Sequence, residues 1–301
     1  MPVVTGPVAV LGASGKTGRA VTAALLRRGV DVRAVVRRPG RLAGEEAGRT
    51  LCEVVADLDS GEGLEPAFDG CAAAYLLAPN VHPDEPGVIE RAVTAARDAG
   101  VRRVVLHSVL HPHDSAMPHH LAKARAEEVV RASGLCWTVL QPCAYTQNLT
   151  ASLPQVLATG RLEVPYRVDA PFTLVDTRDV GEAAAIVLSE EGHDAASYEL
   201  CGPDVMTVAD VAAEVARVSA REVVAVRTDP DDWLAEAGAA LPQHTRETLH
   251  AMFVAYDDDG LVGGRRVLPW LLGRPSTPVT VSIDRALQAY TKATKCTPGA
   301  R

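Results

Sequence analysis

The stretch Val8-Ala9-Val10-Leu11-Gly12-Ala13-Ser14-Gly15-Lys16-Thr17-Gly18 decides the fold. An uncharged apolar run enters glycines three residues apart and leaves into a helical pattern. Gly12 permits a tight turn, Gly15 lets a pyrophosphate approach the backbone, and Gly18 lets the helix lie close to the sheet. The helix N-terminus offers free N–H groups and a partial positive charge to the phosphates. Ser14, Lys16 and Thr17 join the three glycines as candidate cofactor contacts. The spacing is G-x-x-G-x-x-G rather than the commoner G-x-G-x-x-G. A Walker A loop fits poorly, because it needs four residues between its glycines. The alternative reading of the same glycines is a tight turn that holds no ligand.

Working outward, short apolar runs alternate with helical patterns. Strands are expected at residues 7–11, 31–36, 51–56, 72–77, 103–106 and 137–140, with crossover helices such as 16–28 and 86–99 between them. Several runs are apolar throughout, as in parallel strands buried on both faces. Gly29 and Gly100 stand where C-cap glycines belong. This alternation predicts an α/β fold with a doubly wound, parallel sheet of the Rossmann type. Further on, strands are expected at 172–175 and 197–201 and helices at 177–189, 207–219, 231–239, 244–255 and 282–292. Thr207-Val208-Ala209-Asp210 is a near miss to a capping box, with Asp where Glu or Gln is usual.

The expected organisation is a nucleotide-binding domain over residues 1–150, its sheet completed within about 172–201. A smaller, mostly helical substrate lobe takes residues 151–171 and 202–292, and residues 293–301 form a flexible tail.

Composition narrows the function classes. The chain has 301 residues, 47% of them hydrophobic and 23% charged, which is ample for a large core without staples. A net charge of -8 argues against nucleic-acid binding and against an anionic membrane surface. The six cysteines form no CxxC and read as buried free thiols in a reducing compartment. No stretch nears the ~18 uncharged apolar residues of a membrane span, so a cytoplasmic protein is expected. A monomer or homodimer acting on a small molecule is the expected state.

The end of the second strand selects the cofactor. NAD-type sites place an acidic residue there for the ribose 2′-hydroxyl. This chain reads Val35-Val36-Arg37-Arg38-Pro39, and Asp31 lies at the opposite end of the strand. The Arg37 guanidinium would match a 2′-phosphate through charge-assisted bonds. NADP(H) is therefore expected in preference to NAD(H). Solvated surface arginines are the other reading.

The chain resembles the NmrA-like atypical short-chain dehydrogenase/reductases. The matching segments run from about Pro7 to Leu287. They are Gly12 to Gly18, Val32-Arg33-Ala34-Val35-Val36-Arg37, Ala56-Asp57-Leu58-Asp59 and Gly100-Val101-Arg102-Arg103-Val104-Val105. Leu140-Gln141-Pro142 with Asn148, Val175-Asp176-Thr177-Arg178-Asp179-Val180 and Leu271-Leu272-Gly273-Arg274-Pro275 follow. The resemblance implies that Asp57 and Leu58 lie against the adenine. It implies that Leu77, Ala78 and Pro79 flank the ribose, and that Pro142 faces the nicotinamide.

Standard short-chain reductases carry Tyr-x-x-x-Lys on a helix, one turn apart on one face. Here the segment is His119-His120-Leu121-Ala122-Lys123. Lys123 matches the lysine that holds the nicotinamide ribose. His119 stands where the tyrosine would be and could supply a proton near neutral pH. Ser108 matches the family's serine and could bind a substrate carbonyl. The competing reading makes Lys123 a surface lysine and His119 an ordinary residue of the helix N-terminus.

His107, His111, His113, His119 and His120 cluster around Asp114, but no recognised metal-ligand spacing appears, so no metal is expected. Asp257-Asp258-Asp259-Gly260 lacks the alternation of a calcium loop and reads as a solvated turn. Tyr145, Asn148, Tyr166 and Phe172 are the candidate substrate contacts, the aromatic rings by stacking, although Phe172 also suits packing.

The expected function is an NADPH-dependent reductase passing hydride to a carbonyl, quinone or activated C=C bond. The alternatives are a non-catalytic NADP(H)-sensing regulator, favoured by the missing tyrosine, and a non-redox enzyme on the same fold.

Overall fold

The computed structural model describes residues 5–40, 42 and 50–295. The first half alternates as its apolar runs require. β1 (Val8–Val10), α1 (Lys16–Arg27), β2 (Val32–Val36), β3 (Leu51–Val55), α2 (Leu64–Phe68) and β4 (Ala73–Leu76) come first. They lead into α3 (Glu85–Asp98), β5 (Arg103–His107), α4 (Pro118–Arg131) and β6 (Cys136–Pro142). The second half contains β7 (Ala144–Tyr145), α5 (Thr146–Thr150), α6 (Leu153–Thr159), β8 (Arg161–Val164), β9 (Phe172–Val175), α7 (Thr177–Ser189) and β10 (Ala196–Leu200). It ends with β11 (Val205–Met206), α8 (Val208–Ser219), β12 (Val224–Arg227), α9 (Pro230–Glu236), α10 (Gln243–Asp259), α11 (Val267–Leu272) and α12 (Val279–Lys295).

Seven strands form one sheet in the order β10-β6-β5-β4-β1-β2-β3, and every pairing is parallel. The strand order reverses between β1 and β4, the crevice where doubly wound folds bind ligands. Of the two later strands expected to complete the sheet, β10 pairs with β6. β9 instead joins β7 and β11 in a small separate sheet, and β8 pairs with β12 in another. These strands, two to four residues long, lack the length that periodicity needs.

Alternation along each strand feeds two cores. Val8, Val10 and Tyr75 enter a cluster with α1 and α7, whereas Ala9, Leu11, Ala74 and Leu76 enter one with α2, α3 and α4. The α1–α7 contact is close enough to need a glycine. A Cβ on Gly181 would sit 2.5 Å from the Ala20 carbonyl oxygen.

Some local expectations change. Thr207 and Asp210 do close a capping box, because Asp210 Oδ2 accepts from Thr207 N at 2.8 Å and Thr207 Oγ1 accepts from Asp210 N at 3.1 Å. The acidic run is not a solvated turn: Asp257, Asp258 and Asp259 end α10. The Asp257 carboxylate accepts from Arg227 and from the Arg167 backbone, so it ties α10 to the β8–β12 side. Cys71, Cys143 and Cys201 are buried free thiols, but Cys52 and Cys136 are exposed at strand ends and edges, and Cys296 lies outside the described residues. Residues 293–295 continue α12 rather than fraying, and 296–301 lie outside the described residues. Among the described residues no helix is long and apolar enough to cross a membrane.

Gly181→Val is expected to force α1 and α7 apart and to cost roughly 3 kcal/mol, the upper part of the usual range for overpacking. Thermal unfolding checks this. An unchanged Tm would mean that the two helices part freely.

Candidate functional site

The glycine turn is built as its spacing demands. Gly12 takes φ +61°, and its carbonyl accepts from Gly15 N at 2.9 Å. A Cβ on Gly18 would collide with the Gly12 carbonyl, so only glycine lets α1 begin this close to β1. Gly15 is the N-cap of α1, no side chain caps it, and the first turn carries no acid. The N–H groups there keep their capacity for an anion. This cradle fits a pyrophosphate. Beside it, Arg37 is exposed at the end of β2. Asp57 folds its own turn, accepting from Asp59 N at 2.8 Å and Ser60 N at 3.0 Å. These two bonds, with Arg37 nearby, hold its carboxyl below the usual range.

One cavity of about 850 Å³ runs from this cradle to residues of β8, β9, α9 and α10. It is lined by Gly12, Ser14, Gly15, Lys16, Thr17, Arg37, Asp57, Leu58, Leu77, Ala78, Pro79 and Pro142. Ser108, His119, Lys123, Tyr145, Asn148, Tyr166 and Phe172 line it as well. Of the candidate cofactor, catalytic and substrate contacts named from sequence, only Gly18 does not line it, which agrees with its packing role. His111 and His113 of the histidine cluster also lie outside it.

Lys123 is not a surface lysine. It is 5% exposed, its Nζ lies 2.6 Å from Glu85 Oε1, and it donates to the His107 carbonyl at 3.1 Å. Glu85, at the start of α3, is fully buried. Its other oxygen faces His119 Nδ1 at 4.0 Å. Sequence reasoning missed Glu85. It stands between the N-cap Asp84 and Pro86, where an acid reads as ordinary first-turn chemistry. Its partner lies on another helix.

The same pair changes the expectation for His119. Burial first, then the Lys123 charge and His120, push its imidazole down to about 3. His119 is therefore neutral near pH 7 and carries no imidazolium proton to give. Ser108 also differs from expectation. Its hydroxyl donates to Glu127 Oε1 at 2.5 Å, and Glu127 further accepts from Gln141 at 2.8 Å and Arg131 at 2.7 Å. The Ser108 proton is committed to that buried carboxylate, so a carbonyl would find no donor there.

Next to Lys123, three rings form a hydrogen-bonded row. Tyr75 Oη lies 2.6 Å from His107 Nδ1, and Tyr145 Oη lies 2.8 Å from His107 Nε2. Burial, with Lys123 beside it, holds His107 well below its ordinary value and therefore neutral. Thr17 Oγ1 donates to Tyr145 Oη at 3.2 Å, and Lys16 Nζ donates to Asn148 Oδ1 at 2.7 Å. Among the described residues no group of three His, Cys, Asp or Glu side chains is placed to hold a metal.

The far end of the cavity is aromatic. Tyr166 lies 5.4 Å from Phe172, 5.5 Å from Tyr256 and 6.3 Å from Phe253, and Trp233 lies 5.2 Å from Phe253, all between ring centroids. Tyr256, Phe253 and Trp233, on α9 and α10, were not singled out from sequence. Their helices show no short-range signal of facing a pocket.

A glycine-cradled helix N-terminus at the β1/β4 crevice, opening into an apolar chamber, defines a doubly wound dinucleotide-type site. The chain belongs to the NmrA-like family, whose model matches residues 5–293. It is 32% identical over 216 residues to the (4-alkanoyl-5-oxo-2,5-dihydrofuran-3-yl)methyl phosphate reductase of Streptomyces griseus, covering 71% of this chain and 74% of that one. It is 26% identical over 272 residues to the NAD(P)H azoreductase of Xenophilus azovorans, covering 89% and 94%. The NADPH complex of the NADPH-dependent quinone oxidoreductase of Escherichia coli superposes with a TM-score of 0.80. That match has 27% identity and covers 93% of this chain and 99% of that one.

Two outcomes follow. Glu85→Gln leaves the Lys123 ammonium buried without its counter-charge and is expected to cost about 3–5 kcal/mol. Glu85→Gln/Lys123→Met should recover part of that loss in denaturant unfolding, and a double variant no more stable than Glu85→Gln would refute the coupling.

For His119, the folded-state value of about 3 lies below the ordinary 6.5. Between these values the unfolded chain binds the proton and the folded chain does not, so stability is complete above about pH 6.5 and falls toward pH 3. His119→Gln should flatten that slope in urea titrations. An unaltered slope would assign it to other groups.

Proposed function

We propose that the chain is an NADPH-dependent reductase of flat, conjugated organic acceptors, quinones foremost. One observation carries the reading: the phosphate cradle, the buried Lys123 and an aromatic chamber line the same cavity. The relatives, named as reductases of a quinone, an azo compound and an unsaturated lactone ring, support it.

The N–H groups at the start of α1 and the Arg37 guanidinium hold the cofactor's phosphates. Bound NADPH supplies the hydride. Lys123, fixed by Glu85, would hold the cofactor's ribose. Tyr166, Phe172 and Tyr256 form apolar walls against which a flat ring stacks and excludes water. Water supplies the proton, since His119 is neutral.

A sensing role finds support in the absence of a tyrosine at position 119, but it gives no reason for an aromatic chamber beyond the cofactor end.

The experiment is NADPH oxidation with panels of quinones, enones and aliphatic aldehydes. Quinone turnover well above that of aliphatic aldehydes is expected, and NADPH binding without turnover on any acceptor would move the sensing role ahead. Arg37→Ala should raise KM for NADPH about 10- to 100-fold, the loss of one or two charge-assisted bonds, and leave KM for NADH nearly unchanged.

A further inference from the structure

We infer that the Tyr145 hydroxyl is the hydrogen-bond donor for the acceptor oxygen of the substrate, and that Tyr75 and His107 fix the direction in which its proton points. This assignment rests on the reductase reading above and names the atom that recognises the substrate.

The geometry fixes the position of the His107 proton. Tyr75 is fully buried on β4, and its hydroxyl meets His107 Nδ1. Were Nδ1 to carry the proton, the Tyr75 O–H would be a buried donor with no acceptor among the described residues, the more costly kind of orphan. Tyr75 therefore donates to Nδ1. A neutral imidazole has one N–H, so the His107 proton sits on Nε2 and is donated to Tyr145 Oη at 2.8 Å. The Thr17 hydroxyl donates to that same oxygen at 3.2 Å. Two donors fill the lone pairs of Tyr145 Oη, and its own proton turns to the cavity that Tyr145 lines.

The neighbours reinforce this polarity. Lys123 Nζ bonds the His107 carbonyl at 3.1 Å, and its positive charge opposes a second proton on the ring. Burial holds the Tyr145 phenol above its ordinary value. The hydroxyl thus keeps its proton and acts as a fixed donor, not as an acid. The three residues come from the ends of β4 and β5 and from β7, all on the cofactor side of the sheet. An acceptor with a carbonyl oxygen satisfies this donor, whereas a hydrocarbon of equal shape leaves it unpaired.

Two measurements test the assignment on the full chain. Long-range 1H–15N spectra of the wild-type protein should show the His107 proton on Nε2 and a hydrogen-bonded Nδ1. In Tyr75→Phe, which removes the donor to Nδ1, the Nε2 tautomer should no longer be exclusive and an Nδ1–H signal should appear. A proton on Nδ1 in the wild type would overturn the inferred polarity.

Second, 1,4-naphthoquinone is titrated into the NADP+ complex and assayed with NADPH. Tyr145→Phe is expected to weaken quinone binding and to lower kcat/KM tenfold or more, with NADPH affinity unchanged. Quinone binding and turnover within twofold of wild type would overturn this inference and leave the reductase reading intact. Wild-type protein that neither binds nor reduces the quinone would overturn both.

Discussion

The site is organised around a charge that has no water. Lys123 and Glu85 meet at 2.6 Å with side chains that are 7% and 0% exposed. Desolvating two ions costs several kcal/mol each, and only a close, well-oriented partner offsets it. The pair therefore fixes the start of α3 against the first turns of α4. Through the Lys123 bond to the His107 carbonyl it also fixes the end of β5. Burial holds His119 and His107 neutral, and the neighbouring Lys123 ammonium adds to it. The ion pair thus reinforces what burial sets: charge on Lys123 and Glu85, neutral hydrogen bonds on the histidines.

Beyond that pair the cavity divides by chemistry. The sheet and the start of α1 supply backbone donors and a guanidinium, suited to phosphates. The lobe supplies rings. Lys16 and Thr17 stand on the seam, bonded to Asn148 and Tyr145 across the cleft. The residues that would hold a cofactor are thereby in contact with those that would hold its substrate.

Much of this was legible in the chain. The glycine spacing fixed the turn at Gly12 and the close approach at Gly18, because both are backbone requirements that only glycine meets. Buried parallel strands read as apolar runs, and β1, β2 and β4 lie where those runs are. Arg37 could be placed because a strand end is a local feature. What escaped was non-local. Glu85 and Lys123 are far apart in sequence, and neither betrays its burial alone. The row from Tyr75 through His107 to Tyr145 exists only once β4, β5 and β7 are neighbours. His107 read as one of five clustered histidines, yet its partners come from outside that cluster. Trp233, Phe253 and Tyr256 face the cavity through the packing of α9 and α10, which the hydrophobic pattern of those helices does not reveal. Ser108 was visible as a position, but its commitment to Glu127 was not.

The sheet order has a bearing on how the chain is made. β6 pairs with β5 on one side, and on the other it waits for β10, which the ribosome delivers only after the whole of α5 through α7. Until then the outer edge of β6 presents unpaired N–H and C=O groups, the kind of edge to which a second chain can add. α7 reaches its place beside α1 in the same interval, so the face buried by Gly181 also closes late. The nascent chain thus holds an open sheet margin and an uncovered helix at once. Vectorial synthesis, rather than the finished fold, is the stage at which this protein is most exposed to misassembly.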